Sequence, residues 1–191
     1  MKKTMLNKPL VIVVDMINGF VHEGALSDAR IDRITSNIEN LLKDGTEALF
    51  ICDAHSEDAR EFKAYPVHCL KGTKESEIVE QLKPYVTDTI EKNSINTFSA
   101  PGFQKRLKSL LEDYQDFVIT GCCTDLCVLQ LVLSFQSYLN EINDQGHRIL
   151  VPKNCVETYH APQVHDAAYW NEAALKNMAA NGVCVVEKIE D

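Results

Sequence analysis

The chain has 191 residues, of which 45% are hydrophobic, 25% charged and 7% aromatic, as in an ordinary globular domain. Its 19 lysine and arginine residues against 28 aspartate and glutamate residues give a formal net charge of −9, which argues against nucleic-acid binding and against docking to anionic membranes. The length predicts a single domain over residues 1–191.

The amino-terminal segment and the cysteines together predict a cytoplasmic protein with free thiols. The longest strongly apolar run, residues 10–14, is far shorter than the ~20 residues of a membrane span. No apolar stretch of signal-peptide length precedes Asp15. The 7 cysteines cannot all pair within one chain and none forms a C-x-x-C pair, so we expect buried or reactive thiols.

Short β-branched runs alternate with amphipathic runs along the whole chain. Apolar residues at helical spacing begin near Ile31, Leu107, Val128 and Ala167. This alternation predicts a single-domain, doubly wound α/β fold with a mostly parallel six-stranded sheet and helices on both faces. The predicted strands are residues 10–15, 48–53, 87–92, 117–121, 148–151 and 183–186.

The ends of the first four predicted strands carry side chains that can take part in catalysis or metal binding. In a doubly wound sheet the ligand site lies beyond the carboxyl ends of the strands. Asp15 closes the first strand, Asp53 and then His55 follow the second, Lys92 closes the third, and the turn 121–127 follows the fourth. A carboxylate, a metal-like pair, a cation and a thiol thus fall where one cleft should form. The carboxylate, the cation and the thiol supply the acid/base, the charge and the nucleophile that covalent attack on a carbonyl group requires.

The cysteine at the end of this turn, Cys127, is the candidate nucleophile. Thr124 or Asp125 is expected to cap the helix that follows, because their short side chains can satisfy its free N–H groups. A place in the first helical turn predicts a lowered thiol pKa for Cys127 and N–H donors for an oxyanion. The alternative is that Cys127 is a small buried side chain that faces the sheet.

Two other strand-end residues also have a structural alternative. Asp15 follows an apolar strand, where a buried carboxylate is unfavourable unless it is paired or used, but it can also cap the turn that comes next. Lys92 can be a solvated lysine at the edge of the sheet. Each of these residues alone is weak evidence for a catalytic site, and only their combination with a thiol predicts one.

The segment 53–68 has the composition of a metal site. Asp53 and His55 are two residues apart, so in extended geometry their side chains share one side, and Glu61 and His68 follow in a polar loop. Two imidazoles and two carboxylates suit zinc, manganese or iron(II). The alternative is a solvated acidic loop with incidental histidines. If the segment does bind a metal, composition alone leaves Asp58 or Glu57 as possible ligands in place of Glu61.

Four blocks of sequence carry these residues, and they span most of the chain: VIVVDMINGF, DAHSEDAREFKAYPVHCLKGT, KNSINTFSA and VITGCCTDLCV. Their combination resembles the nicotinamidase/pyrazinamidase branch of the isochorismatase-like cysteine hydrolases. The later segment VPKNCVET and the helix that starts near His165 are similar to the closing elements of that family. Each block alone is unspecific, whereas all of them together are a specific pattern.

The resemblance implies the catalytic residues. It implies a triad of Asp15, Lys92 and Cys127, with an oxyanion hole made by the backbone N–H groups of Cys123 and Cys127. It also implies a non-proline cis peptide bond between Cys122 and Cys123.

The resemblance also implies a metal centre and a substrate pocket. One divalent ion, with zinc as the first choice and manganese or iron as alternatives, would be bound by Asp53, His55, Glu61 and His68. The aromatic residues of the pocket would be Phe20 and Tyr65, and many family members have tryptophan where Tyr65 stands.

The activity implied is hydrolysis of nicotinamide, and of pyrazinamide, to the acid and ammonia through a thioester, in salvage of NAD breakdown products. The nearest alternative is a sibling amidohydrolase that acts on another small amide or ureido compound. Others are an isochorismatase-type relative without a cysteine nucleophile, which Cys127 argues against, and a redox-sensing or zinc-binding regulatory protein. The partner is thus a small molecule, and the apolar residues Phe135 and Trp170 leave a homo-oligomer open.

Overall fold

A seven-stranded, all-parallel sheet forms the centre of the computed structural model, which describes all 191 residues. The strand order is β3-β2-β1-β4-β5-β7, and β6 pairs with the end of β4. The strands are β1 Pro9–Val14, β2 Ala48–Asp53, β3 Asp88–Lys92, β4 Asp116–Cys122, β5 Arg148–Pro152, β6 Val156–Glu157 and β7 Cys184–Val186.

The predicted parallel sheet is confirmed, and the count of six strands is one short. All six predicted strands are present, including β3, which carries two acids. The additional strand, β6, has only two residues and pairs Val156 with Gly121 and Glu157 with Cys122. A strand of this length has no periodicity that a sequence pattern could reveal.

Helices cover both faces of the sheet. Alternate β1 residues such as Ile12 pack with α3, α4 and α5, for example against Phe135 of α4. The intervening residues such as Val13 pack with α2, for example against Ile38. This alternation follows from the two-residue period of strand side chains and confirms the doubly wound architecture. The helices are α1 Asn18–Val21, α2 Thr35–Leu42, α3 Pro101–Asp113, α4 Leu129–Glu141 and α5 Ala167–Ala180.

The topology places a crevice at the carboxyl ends of β1 and β4. The chain builds outward from β1 through β2 to β3, and then crosses back to β4 on the other side of β1. Neighbouring connections diverge at such a switch point, and this opens the usual ligand site of a doubly wound sheet. None of the helices has the length and apolar content needed to span a membrane.

Gly121 in β4 allows β4 to lie against β1. Its φ is +105°, and an added Cβ would lie 1.9 Å from the carbonyl oxygen of Val14. Because backbone on both sides must move, Gly121→Ala is expected to lower the free energy of unfolding by about 4 kcal/mol or more. Gly182→Ala is the matched control, since Gly182 has φ +90° with open space around it, and should cost about 1–2 kcal/mol. Equal losses in urea denaturation would contradict the close-approach explanation.

Candidate active site

The Lys92 ammonium group is the centre of the site. Its Nζ lies 2.9 Å from Asp15 Oδ2, 2.5 Å from Asp53 Oδ1 and 3.7 Å from Cys127 Sγ. The residues come from the ends of β1, β2 and β3 and from the turn after β4, and all are buried. The structure therefore brings the three residues of the predicted triad together, with Asp53 as a second counter-ion for the lysine.

Asp15 is held in an unusual backbone conformation directly after β1. Its φ is +53°, in the left-handed region that a residue with a Cβ rarely adopts. Its N–H donates to the Ile51 carbonyl at 2.9 Å, and its Oδ1 accepts from the Asp53 N–H at 3.0 Å. Such conformations persist where the surroundings fix them, and they concentrate at functional sites. The result is a fully buried carboxylate turned back toward Lys92.

Burial and neighbouring charges separate the two carboxylates in acidity. The pKa of Asp15 is raised to about 7, mainly by burial. The negative charge of Asp53 raises this pKa further, and the positive charge of Lys92 lowers it. Burial also acts to raise the pKa of Asp53, but Lys92 and His55 hold this pKa below its usual value. Burial acts to lower the pKa of Lys92, but the negative charges of Asp15 and Asp53 outweigh this effect and hold the pKa well above its usual value. Asp15 is thus the carboxylate better suited to exchange a proton near neutral pH.

The Cys127 side chain is a buried thiol in the turn after β4. Burial raises its pKa well above the usual value, although Lys92 acts in the opposite direction. The expectation of a lowered thiol pKa is therefore wrong, because the loss of hydration outweighs the favourable position in the first helical turn. A thiol of this kind needs a base to remove its proton during attack, and Asp15 faces the same lysine.

The start of this turn differs from the sequence expectation. The residues Thr124–Val128 form a π-helical turn that begins after Cys123, and no side chain caps it. The prediction of a Thr124 or Asp125 cap is wrong, because the Asp125 carboxylate accepts hydrogen bonds from Thr158 and His165 instead. The peptide bond between Cys122 and Cys123 is cis. The Cys123 N–H has no acceptor within the protein, as expected of an oxyanion donor.

Two imidazoles and one carboxylate form a possible site for a divalent metal. The ligand atoms of Asp53, His55 and His68 lie within 4.8 Å of one another. His55 Nδ1 lies 3.1 Å from Asn93 Oδ1, and His68 Nδ1 lies 2.8 Å from the Pro66 carbonyl. Because both partners are acceptors, each Nδ1 carries the proton and each Nε2 keeps its lone pair for a metal. His55 Nε2 is buried, makes no other hydrogen bond and lies 3.5 Å from Asp53 Oδ2, so the two side chains present adjacent ligand atoms that fit a bound cation.

Glu61, the fourth predicted ligand, lies on the same cavity but outside this cluster. It lines the cavity beside Asp53 and His68, while its Oε2 accepts a hydrogen bond from the Ile95 N–H at 3.1 Å. The structure thus brings three of the four predicted ligands within coordinating distance of one another.

Aromatic side chains surround the two histidines. The ring centroids of Phe20 and Tyr65, the predicted pocket residues, lie 5.8 Å and 6.3 Å from that of His68. Phe62 packs edge-on against both metal-site histidines, and the sequence reasoning missed it. The position of Phe62 directly after the predicted ligand Glu61 could have indicated that it lies near the metal site.

The cavity above Cys127 continues into a wider outer cavity. Phe20, Tyr65 and Cys123 line both parts. The outer part has a volume of about 230 Å³, and Tyr159 and His160 form part of its wall. Neither Tyr159 nor His160 was predicted as a pocket residue, because both come from the irregular segment between β6 and α5.

The chain matches a known protein family. The profile of the Isochorismatase domain matches residues 9–188. Nicotinamidase 1 from Arabidopsis thaliana is 27% identical over 175 residues, which cover 78% of this chain and 66%, just under two thirds, of that protein.

Two solved structures share the fold. The pyrazinamidase of Pyrococcus horikoshii in complex with zinc has a TM-score of 0.76 and 22% identity, with 94% of this chain and 99% of that chain covered. The N-carbamoylsarcosine amidase from Thermoplasma acidophilum has a TM-score of 0.72 and 22% identity, with 93% and 94% covered. At this level of identity, the likeness establishes the fold alone.

Proposed function

This chain belongs to the isochorismatase domain family, and on that premise we propose that it is a metal-dependent nicotinamidase. The reaction is hydrolysis of nicotinamide to nicotinate and ammonia, with pyrazinamide as a second substrate. The observation that carries the proposal is the contact of Lys92 with Asp15, Asp53 and Cys127 beside a two-histidine cluster. The relation to Nicotinamidase 1 from Arabidopsis thaliana supports the choice of substrate. Such an enzyme would salvage NAD breakdown products in the cytoplasm.

The first half of the reaction forms a thioester on Cys127. Asp15 accepts the thiol proton as Sγ attacks the carboxamide carbon. The negative oxygen of the tetrahedral intermediate binds the backbone N–H groups of Cys123 and Cys127, a contribution of ~3 kcal/mol per donor in comparable sites. Asp15 then gives its proton to the departing nitrogen, and ammonia leaves. Lys92 holds Asp15 in place throughout and balances the negative charges around it.

The second half of the reaction returns the enzyme to its starting state. Asp15 takes a proton from a water molecule as that water attacks the thioester carbonyl. The C–S bond breaks, the proton on Asp15 returns to the Cys127 sulfur, and the acid leaves as nicotinate after losing its remaining proton to solvent.

The metal in this proposal is zinc, with manganese or iron(II) as alternatives. Asp53, His55 and His68 would hold it, with Glu61 as the proposed fourth ligand. When bound, the ion would supply a Lewis-acidic contact for a pyridine nitrogen, which orients the carboxamide.

Removal of one imidazole tests the metal site. His68→Ala is expected to weaken zinc binding by about 100-fold or more, because it removes a neutral nitrogen ligand from a cluster of three. The measurement is elemental analysis after dialysis, with chelator competition for the affinity. His147→Ala is the control, since His147 contacts Leu111 and Asp144 instead. A His68→Ala protein with wild-type zinc content would remove His68 from the ligand set.

A substrate panel tests the choice of nicotinamide. Ammonia release from nicotinamide, pyrazinamide and N-carbamoylsarcosine is measured with the zinc-loaded protein under identical conditions. We expect kcat/KM for nicotinamide to exceed that for N-carbamoylsarcosine by about 100-fold or more, since an open-chain ureido compound lacks the ring that would contact the metal and the aromatic walls. Faster release from N-carbamoylsarcosine would establish the sibling amidohydrolase instead.

A further inference from the structure

The His165 ring packs near the nucleophile turn, which is the π-helical turn Thr124–Val128 that carries Cys127. Both ring nitrogens lie at hydrogen-bond distance from an oxygen atom. Its Nδ1 lies 2.9 Å from the Tyr159 carbonyl oxygen, and its Nε2 lies 2.8 Å from Asp125 Oδ2. The Tyr159 carbonyl can only accept, so Nδ1 donates to it, and Nε2 shares the second hydrogen bond with the Asp125 carboxyl group. The second carboxylate oxygen of Asp125 accepts from Thr158 Oγ1 at 2.5 Å. The result is a His165–Asp125 pair with a further hydrogen bond on each side.

Two aromatic rings enclose the His165 ring. The Tyr159 ring stacks on His165 at a centroid distance of 3.9 Å and an interplanar angle of 12°. On the other side, Trp170 stacks at 5.4 Å and 6°. The side chains of His165 and Asp125 are 8% and 6% exposed, so water competes with neither their hydrogen bond nor the ring stacking.

The pair connects three parts of the site. Asp125 belongs to the π-helical turn Thr124–Val128, which also carries Cys127. Tyr159 is part of the outer cavity wall, and Trp170 belongs to α5. His165 therefore connects three elements: it stacks on Trp170 of α5, contacts Tyr159 of the cavity wall and forms a hydrogen bond with Asp125 of the nucleophile turn.

We propose that His165 is a positioning residue that fixes the nucleophile turn through Asp125. The hydrogen bond to Asp125 holds the turn so that Cys127 Sγ faces Lys92 and the backbone N–H of Cys123 faces the reacting oxygen. A buried hydrogen-bonded pair is well suited to this task, because its hydrogen bonds define one geometry whereas apolar contacts permit several. Neither His165 nor Asp125 touches the reacting atoms. The inference rests on the proposed function only in taking Cys127 as the nucleophile.

Two variants separate the hydrogen bonds from the stacking. His165→Phe keeps a ring between Tyr159 and Trp170 and removes both N–H donors. Trp170→Leu, the matched control, removes the outer ring and leaves both hydrogen bonds in place. Asp125→Asn provides a second test from the other side of the pair, should His165→Phe fail to fold.

The first measurement is kcat and KM for nicotinamide with the zinc-loaded proteins. We expect His165→Phe and Asp125→Asn each to lower kcat about tenfold with KM changed less than about threefold, the size of effect of a lost hydrogen bond to a charged group. The double variant should fall no further than either single variant, because both break one interaction. Trp170→Leu should keep kcat within about twofold. An unchanged kcat in both pair variants, or additive losses in the double variant, would overturn the inference.

The second measurement does not depend on the substrate. The rate of Cys127 alkylation by iodoacetamide is followed by peptide mass spectrometry. Because a displaced turn moves Sγ away from Lys92 and Asp15, alkylation in the pair variants should be at least about fivefold slower than in the wild type. A rate equal to or faster than wild type would overturn the inference even if nicotinamide proved not to be the substrate. Conversely, slow alkylation in a protein that does not hydrolyse nicotinamide would overturn the proposed function and keep this inference.

Discussion

Replacement of Cys127 with alanine is expected to lower the turnover of nicotinamide by at least about 10⁴-fold. The variant has no sulfur to form the thioester, and the residual rate would come only from binding and oxyanion contacts. The substrate pocket should survive, because alanine is smaller than the buried cysteine and the metal-site cluster contains no sulfur. Equilibrium dialysis with radiolabelled nicotinamide should therefore give a Kd within about threefold of the substrate Kd of the wild type.

Cys155→Ala is the matched control for this variant. Cys155 is a free, fully buried cysteine. It packs in the core on the α2 face of the sheet, whereas Cys127 packs in the core on the opposite face. Its replacement should cost some stability through the lost volume and leave kcat within about twofold. Wild-type turnover by Cys127→Ala would contradict covalent catalysis, and loss of activity in both variants would point to general damage to the fold.

Replacement of Asp15 with asparagine is expected to lower kcat by about 10³-fold or more. Asparagine has nearly the same shape, but its amide cannot accept the thiol proton or return it to the leaving nitrogen. Without that transfer, the buried Cys127 thiol stays protonated, since burial holds its pKa well above the usual value. Zinc content should remain close to wild type, because Asp53, His55 and His68 are unchanged.

Asp116→Asn is the control for the loss of a buried, paired aspartate. Asp116 is as buried as Asp15 and pairs with Arg148, but it lies at the start of β4, at the opposite end of the sheet. Its replacement should lower the free energy of unfolding by about 1.5–3 kcal/mol and leave kcat nearly unchanged. A wild-type-like rate for Asp15→Asn would remove Asp15 from the proton transfers.

Much of the site could be predicted because strands end at a common edge. In a parallel sheet, residues that close successive strands meet at the carboxyl ends, so Asp15, Asp53 and Lys92 could be grouped from sequence. The pattern Asp-x-His placed His55 with them for the same geometric reason. The near-continuous apolar runs also predicted both the buried strands and their parallel pairing.

Other features depended on contacts that the sequence does not encode locally. Asp125 carries a side chain typical of a helix cap, but its partner His165 lies 40 residues further along the chain. The pKa of Cys127 depends on the balance between burial and the field of Lys92, and only the folded site sets that balance. Position in a helical turn is a local property, so it predicted the wrong direction of the shift.

Chelator-sensitive ammonia release from nicotinamide tests the proposed function most directly. Purified wild-type protein is assayed zinc-loaded, after treatment with chelator, and after zinc is added back, with Cys127→Ala in parallel. We expect ammonia and nicotinate in equal amounts from the zinc-loaded protein, loss of release with chelator, recovery with zinc, and no detectable release from Cys127→Ala. No release from zinc-loaded wild-type protein, or release that the chelator leaves unchanged, would contradict a metal-dependent nicotinamidase.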